Sequence, residues 1–460
     1  MAMIHQTELF SWGQVQAASD PDRLRVLWEA LPDEELMRAL EAERKGRRDD
    51  YPLRAVWNSV LAGIVFQHVS IESLRRELQR NAQLRHACGL DVFRGAWAVP
   101  PEWVYTRFLR KLFRHQAAID RRLDVLVDRL EELLPGLGRR RAVDAKAIAS
   151  HANAPRKDAD PDPHTPEGRR DRDADWGTKT YRGVREDATA WEKTTRWFGY
   201  KLHLAVDADY ELPLGYALTK ASAHDSPHLL PLVEALHARH RELVEHAQYL
   251  SADKAYDAHD NNQDLFDDYG LRPVIDIRAT WQDEPDRPRP RYPGHVDTIF
   301  YTEQGEVVCR CRDGQPRERA HYAARAYQGF EADRGTLKYR CPAKAHGLAC
   351  TQQDLCHQGQ QPAHGRIVRV PLDTDRRIFT PLARASKAWT REYHHRTAVE
   401  RVNRRLDGSF GFERHYIRGL NKMQVRAGLA LVVMLAMAVG WIQDGQRERL
   451  RSLVGRPRAA

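Results

Sequence analysis

The chain has 460 residues, which corresponds to two to four structural units when a domain takes roughly 100 to 200 residues. Hydrophobic residues make up 42% and charged residues 30% of the sequence, which excludes globally disordered, collagen-like and fibrous proteins. The formal net charge is +9. A basic chain favours a polyanionic partner such as nucleic acid, because Lys and Arg displace the counterions of phosphate, although Arg-rich coding in a GC-rich genome gives the same charge.

Six cysteines in a chain of this length do not make the dense pattern of a disulfide framework, so we expect a reducing compartment. The first residues, MAMIHQTELFSWGQ, lack the basic and then apolar pattern of a secretory leader. The longest uncharged run, residues 427–442, has 16 residues. A bilayer needs roughly 20, so this run predicts a buried helix and no membrane association.

Residues 20–135 carry apolar side chains at helical spacing and predict an all-α N-terminal unit, in which Ser70 caps one helix. Further along, basic side chains recur at helical spacing beside an apolar stripe. These basic residues are Arg107, Arg110, Lys111 and Arg114. They are candidates for contacts with DNA phosphates, but an ordinary solvated helix face shows the same pattern.

From residue 139 the periodicity becomes that of strands, and the polar stretch 150–195 is predicted to be a loop or a partly disordered insertion. The predicted elements around it follow in chain order. They are a strand at 142–148 with Asp144 in its middle, a hairpin at 200–220, a helix with Ser226 as its N-cap, a strand that ends at Asp253, a helix near 257–268 and a strand at 273–277.

The composition then changes over residues 278–377, which we interpret as an inserted subdomain with five of the six cysteines. Residues 385–406 predict one helix that carries Glu400, and the apolar helix 427–442 is predicted to pack behind it.

This order of elements is that of an RNase H-like core and predicts an α+β fold, in which a mixed sheet flanked by helices follows an all-α N-terminal domain. Four domains are predicted. They are a helical DNA-binding domain at 1–135, a catalytic core at 139–277 and 378–445, the insertion at 278–377 and a basic tail at 446–460.

Three acids, Asp144, Asp253 and Glu400, would meet at one edge of such a sheet. Carboxylate oxygens suit Mg²⁺ or Mn²⁺, and two such ions support in-line displacement at phosphorus. A chain with 64 acidic residues supplies three at some spacing by chance, and an Asp at a strand end is often a turn former. The spacing of the three acids therefore does not identify a metal site by itself, and local sequence motifs are needed.

Several local motifs occur in the order of one known family. The run YHHRTAVE at 393–400 matches the Y(2)R(3)E part of the signature of DDE insertion-sequence transposases of the hairpin-forming kind. The run SADKAYD at 251–257 resembles their second-Asp motif, and YKLH at 200–203 with ASAHD at 221–225 resembles their hairpin and the following helix entry. Residues 56–88 resemble the N-terminal transposase domain found ahead of such cores.

The resemblance implies that Asp144, Asp253 and Glu400 are the metal-binding catalytic triad. It implies that Tyr393 and Arg396 contact the DNA backbone near the cut. Their spacing of three and four residues would put them on one helix face with Glu400, although a surface ion pair between Arg396 and Glu400 has the same spacing.

The lysine that closes the family signature is absent, because position 407 is Asp. Without this lysine, the sequence does not decide whether donor cleavage passes through a hairpin or follows another route. Arg404 and Arg405, about one turn beyond Glu400, are predicted to supply the missing positive charge.

Five cysteines of the insertion, with His346 and His357 close in sequence, could hold a structural Zn²⁺ through four soft ligands. They are Cys309, Cys311, Cys341, Cys350 and Cys356. Zinc would fold a segment too polar to make its own core. The gaps of 1, 29, 8 and 5 residues are loose for a zinc site, so reduced structural thiols are the alternative. We expect Trp281 to be packed or exposed rather than stacked on an unpaired base.

Together these features predict a transposase that cuts insertion-sequence ends and transfers the strand into target DNA with Mg²⁺ or Mn²⁺. The expected partner is double-stranded DNA, as terminal inverted repeats and target. Because two ends must be joined in one event, we expect at least a dimer on DNA, and specifically a homodimer. The alternatives are an RNase H-like nuclease without strand transfer and a transposase-derived DNA-binding protein without catalysis. We expect a cytoplasmic protein associated with the nucleoid.

Overall fold

A computed structural model of the chain describes residues 19–44, 51–154, 171–185, 187, 189–281, 287–292, 298–311, 321–347, 350, 353, 356 and 365–453. The chain divides into two compact units. Unit 1 comprises Met1–Leu137, Ala145–Ala223 and Val399–Ala460, and unit 2 comprises Gly138–Asp144 and His224–Ala398. The domain boundaries derived from composition stay a prediction.

The α-helices of the described residues follow in chain order. They are Ser19–Ala30 (α1), Glu34–Ala42 (α2), Leu53–Val65 (α3), Ile71–Arg80 (α4), Ala82–Ala87 (α5), Glu102–Leu112 (α6), Gln116–Leu133 (α7), Leu229–Arg239 (α8), Arg241–His246 (α9), His259–Asp267 (α10), Pro342–His346 (α11), Lys387–His394 (α12), Thr397–Phe410 (α13) and Leu420–Gln443 (α14).

The strands follow the same order. They are Arg140–Ala149 (β1), Asp175–Val184 (β2), Ala190–Asp207 (β3), Leu212–Lys220 (β4), Tyr249–Ala252 (β5), Arg272–Ile275 (β6), Arg289–Pro290 (β7), Ile299–Tyr301 (β8), Val307–Cys311 (β9), His321–Ala324 (β10), Ala326–Glu331 (β11), Thr336–Arg340 (β12) and Val368–Pro371 (β13).

Strand β1 runs through both units, and each half of it is paired within its own unit. In unit 2, β1 pairs in parallel with β5, which pairs in parallel with β6. In unit 1, β3 lies between β1 and β2 and also pairs antiparallel with β4. The sheet is therefore mixed and follows the order β2-β3-β1-β5-β6. The predicted α+β fold, an RNase H-like sheet with helices ahead of it, is confirmed.

The N-terminal part of unit 1 is helical, as the apolar spacing predicts. The hydroxyl of Ser70 accepts a hydrogen bond of 3.1 Å from the backbone N–H of Ser73, so the predicted cap of α4 is confirmed. Ser226 differs from its prediction, because Ser226–His228 form a 3₁₀ helix and α8 begins only at Leu229. The Ser226 hydroxyl instead accepts a hydrogen bond from the Asn261 side chain.

The prediction of a loop over residues 150–195 is wrong for its described second half, which forms β2 and the start of β3. Ten residue pairs, from Asp175↔Gly199 to Val184↔Ala190, join the two strands. The polar alternation in TKTYR and WEKTTRW is that of a strand with no buried face, which a search for apolar anchors misses. Residues 155–170 of the stretch lie outside the described residues.

The apolar run near the C-terminus is the buried helix that its length predicts. Helix α14 is long and apolar enough to cross a membrane, but 89% of its most apolar window is buried inside the protein. It packs mainly against α1 and α7, and the expectation that it packs behind the Glu400 helix stays a prediction. Gly440 permits the close approach of α14 to α1, since a Cβ at this position would lie 2.7 Å from the backbone oxygen of Val26.

Replacing Gly440 by Ala is therefore expected to destabilise unit 1 by about 1–3 kcal/mol, because overpacking against a backbone outweighs the better helix propensity of Ala. Gly408 in α13 is the matched control, because a Cβ there meets nothing within 4 Å. Gly408→Ala is expected to raise stability by up to about 1 kcal/mol. Denaturant unfolding followed by circular dichroism measures both, and equal shifts would refute the packing argument.

The inserted segment has a core, contrary to the prediction that it is too polar for one. Strands β7–β10 form one antiparallel sheet and β11–β13 another. Their apolar side chains pack with residues that flank the insertion, such as Ile277 and Phe379. Trp281 belongs to this cluster, and the guanidinium of Arg289 lies 3.9 Å from its ring centroid. Trp281 is therefore packed, as expected.

Candidate active site

Two of the three predicted catalytic acids lie side by side on neighbouring strands of unit 2. The parallel register pairs Val143 of β1 with Ala252 of β5. Asp144 is the next residue of β1, and Asp253 is the first residue after β5. Neighbouring strands run about 4.8 Å apart, so the register brings the two aspartates to the same level at the end of β5.

A buried tyrosine lies beside both aspartates. Tyr256 is 1% exposed. Burial raises the pKa of its hydroxyl well above the usual value, and the negative charges of Asp225, Asp144 and Asp253 act in the same direction. Asp225 comes from the ASAHD run that resembles the family's helix entry. A third carboxylate that the motif search did not assign to the site therefore lies near the pair.

The backbone after β5 holds the side chain of Asp253. One carboxylate oxygen accepts a hydrogen bond of 2.8 Å from the N–H of Ala255 and caps the 3₁₀ helix Lys254–Tyr256. This cap is the turn-forming role expected of an Asp at a strand end. Here it orients the carboxylate, so capping and a functional role are compatible.

Tyr393 and Arg396 do not lie on one continuous helix, which corrects the prediction of a single helix over 385–406. Helix α12 ends at His394 and α13 begins at Thr397. The hydroxyl of Thr397 donates to the carbonyl of His394, and the N–H of Arg396 bonds to Tyr393 with three-residue spacing. Because the Thr side chain occupies a carbonyl that the next helical turn would use, the helix is interrupted there.

Both residues nevertheless lie beside the aspartates. The guanidinium of Arg396 is 4.0 Å from the carboxylate of Asp144 and lies over the ring of Tyr393. Burial raises the pKa of Tyr393, the charges of Asp276 and Asp253 raise it further, and Arg396 opposes them. Unit 2 therefore brings Asp144, Asp253, Tyr393 and Arg396 together.

Helix α12 is fixed on this sheet by packing and by one ion pair. It packs on β5 and β6. The buried carboxylate of Glu392 accepts a hydrogen bond of 2.8 Å from Arg140 at the start of β1. The indole of Trp389 stacks on Tyr393, with ring centroids 4.9 Å apart. The motif search missed these positioning residues, although the apolar and acidic spacing within α12 was visible in the sequence.

Glu400 lies in unit 1, in the first turn of α13, with its side chain exposed. Arg404, one turn further, is also exposed. Arg405 is buried and bonds to Glu211 and to the carbonyl of Leu450. The prediction that Arg405 supplies charge to the site is therefore wrong, because its guanidinium is used within the fold.

The family model of the transposase DDE domain matches residues 139–436. The chain belongs to the DDE transposase family. The resemblance drawn from the motifs is thereby confirmed, and the matched DDE domain includes both aspartates, Tyr393, Arg396 and Glu400. No curated relative matches the chain. The roles of the individual residues stay predictions.

Position 407, where the family signature has lysine, holds an aspartate that binds a different lysine. Lys146 donates to Asp407 at 2.6 Å and to Glu413 at 2.5 Å. Burial raises the pKa of Asp407, and the charge of Lys146 opposes that rise. Lys146 comes two residues after Asp144 on β1, so both side chains leave the same face of the strand. The DDE domain thus has a basic side chain near its first aspartate, which the alternation along β1 could have revealed.

Among the described residues, no group of three or more His, Cys, Asp or Glu side chains is close enough to hold a metal ion. The donors at the end of β5 are nevertheless of the type that Mg²⁺ uses. It is commonly held by one or two carboxylates together with substrate phosphates and water. The pair of Asp144 and Asp253 fits that pattern.

The thiols of the insertion gather only in part. Burial raises the pKa of Cys309 to about 11, while Arg325 lowers it and the neighbouring Cys356 and Cys341 raise it. Arg325 donates to the Cys309 sulfur at 2.8 Å. The thiols of Cys309, Cys341, Cys350 and Cys356 are free; the side chain of Cys311 lies outside the described residues. Zinc binding stays a prediction.

The predicted basic stripe of the N-terminal helices is divided between the fold and the surface. Lys111 donates to the carbonyl of Glu43, and Arg114, just past the end of α6, pairs with its carboxylate at 2.8 Å. Arg107 and Arg110 are exposed, with Arg107 over the ring of Trp103. The surface pair therefore remains the stronger candidate for DNA contact.

Proposed function

We propose that this chain is a transposase that cuts DNA at insertion-sequence ends and joins the freed strand to target DNA. The observation that carries the proposal is that Asp144 and Asp253 directly follow the paired residues Val143 and Ala252 of two parallel strands, with Tyr393 and Arg396 beside them. The match to the DDE domain over residues 139–436 supports the reaction class.

Asp144, Asp253 and Glu400 would hold Mg²⁺ or Mn²⁺. When bound, such ions favour attack at phosphorus and stabilise the leaving oxygen. The 4.0 Å separation between Arg396 and Asp144 supports a role in which Arg396 exchanges that carboxylate for a DNA phosphate. Burial keeps Tyr256 protonated, so its hydroxyl adds no negative charge beside the aspartates.

The reaction has two displacement steps at phosphorus. In the first, water attacks a phosphodiester at the element's end, the bond from phosphorus to the 3′ oxygen breaks, and a 3′-hydroxyl is released. In the second, that hydroxyl attacks a target phosphodiester, so one such bond forms and another breaks. The carboxylates orient the attacking oxygen, and Arg396 with Tyr393 binds the phosphate.

The partners follow from this reaction. The DNA is double-stranded and consists of the terminal inverted repeats and the target. Two ends have to be handled together, so the active form is a homodimer on DNA in the cytoplasm, at the nucleoid. The DNA backbone is contacted by three exposed arginines, Arg107, Arg110 and Arg404.

The proposal is tested by incubating the purified protein with a labelled duplex of the gene's flanking DNA and Mg²⁺ or Mn²⁺. The Glu400→Ala variant is the comparison. We expect wild type alone to cut at a fixed position and to join that end to other DNA. Cutting without joining would establish the nuclease alternative. Binding without cutting by both proteins, both folded, would establish the DNA-binding alternative.

A further inference from the structure

Strands β2 and β3 form a two-stranded ribbon that is exposed over most of its described length. Ten consecutive pairs hold it together, so it is about 33 Å long at 3.3 Å per residue. Every β3 residue from Ala190 to Arg196 is exposed, which includes both faces of the strand. An isolated two-stranded ribbon is marginally stable in water, so this element needs its own internal contacts.

Two tryptophans supply those contacts. Trp197 lies directly across from Gly177, and Trp191 directly across from Gly183. A Cβ at either glycine would lie within 2.6 Å of the opposite indole. The indoles therefore cover the glycine backbone and brace the ribbon over its length. Trp191 and Tyr181 remain 38% and 45% exposed, so aromatic surface is left available.

One face of the ribbon combines basic, aromatic and hydroxyl side chains. The register places Tyr181 opposite Lys193 and Lys179 opposite Thr195 on the same face as Trp191. The ammonium of Lys179 lies 5.8 Å from the ring centroid of Tyr181. The other face carries Arg196 and the hydrogen-bonded pair Thr180 and Thr194.

We propose that this β-ribbon binds in the major groove of duplex DNA. A groove about 12 Å wide admits a two-stranded ribbon. Lys179 and Lys193 supply phosphate contacts, and the Thr195 hydroxyl and the exposed aromatic rings of the same face reach base edges and sugars. Duplex DNA fits better than a second copy, because two copies of this basic face repel each other. The inference rests on the proposed function only in taking DNA as the substrate.

The test compares Lys179→Ala/Lys193→Ala with wild type for binding to a labelled duplex between 50 and 200 mM salt. Losing two phosphate contacts is expected to lower the slope of log K against log salt by about 1.8, since each contributes about 0.9. Extrapolated from 1 M salt, the same slope change lowers the affinity at 100 mM salt roughly 60-fold. Lys179→Gln/Lys193→Gln keeps side-chain length, and circular dichroism checks folding of both variants.

Arg334→Ala/Lys344→Ala is the matched control, because it removes two exposed basic residues from unit 2. It should leave the slope within about 0.5 of wild type, since neither residue is assigned a phosphate. An unchanged slope for the lysine variant, an equal change for the control, or no duplex binding by wild type would overturn the ribbon proposal. So would a change from dimer to monomer in sedimentation with the slope intact.

The outcome is separable from that of the proposed function, because binding is measured without cleavage. A lowered slope in a protein that never cuts keeps the ribbon and removes the transposase activity. If wild type cuts and joins DNA but the lysine variant has an unchanged slope, the transposase activity is kept and the ribbon proposal is removed.

Discussion

Replacing Asp253 by Asn is expected to lower strand cleavage by at least about 1000-fold, which is about 4 kcal/mol of transition-state stabilisation. Asn removes the negative charge that the metal requires but keeps an oxygen that can accept the hydrogen bond from Ala255. The cap on the 3₁₀ helix is thereby retained, and the fold and DNA affinity should be nearly unchanged. A time course of cleavage on end DNA, with binding measured in parallel, gives the result.

Asp373→Asn is the matched control, because this aspartate is in unit 2 and 80% exposed, with one ion pair to Arg376. It should cleave at the wild-type rate. Asp144→Asn should be as inactive as Asp253→Asn, and the double variant no worse, because groups that act as a unit are not additive. Cleavage by Asp253→Asn within tenfold of wild type would remove the aspartate from the triad.

The aspartate pair could be predicted from sequence because Asp144 lies within a short apolar strand and Asp253 lies in a family motif directly after another. Parallel strands then bring their ends together without further information. The interruption between α12 and α13 could not be predicted in this way. No Pro or Gly marks it, and it depends on the Thr397 hydroxyl bonding one carbonyl.

Contacts that are distant in sequence account for the other misses. Lys146 and Asp407 are 261 residues apart. From sequence alone, the aspartate at position 407 therefore indicated that the site had lost a positive charge. The ribbon of β2 and β3 was missed because Gly177 and Gly183 look like turn residues until the opposite tryptophans are known. Polar side chains on both faces also remove the apolar alternation by which strands are recognised.

The last residue of the SADKAYD run, Asp257, has a structural role that the motif does not reveal. Its carboxylate is fully buried and accepts two hydrogen bonds from the guanidinium of Arg377, at 2.7 and 3.1 Å. It also accepts the N–H of Arg278 at 2.9 Å. A second guanidinium, that of Arg384, lies 3.9 Å away and donates to the carbonyl of Arg377. These bonds tie the loop after Asp253 to the segment beyond β6.

Arg377→Met is therefore expected to destabilise unit 2 by about 3–5 kcal/mol, because it leaves a buried carboxylate without its main partner. Arg376→Met is the matched control. Its partners, Asp267 and Asp373, are 36% and 80% exposed, so the loss should stay below about 1 kcal/mol. Denaturant unfolding measures both variants. Asp257→Asn in the Arg377→Met background should recover part of the loss, since the unpaired charge is then removed; equal destabilisation by the two arginine variants would contradict the argument.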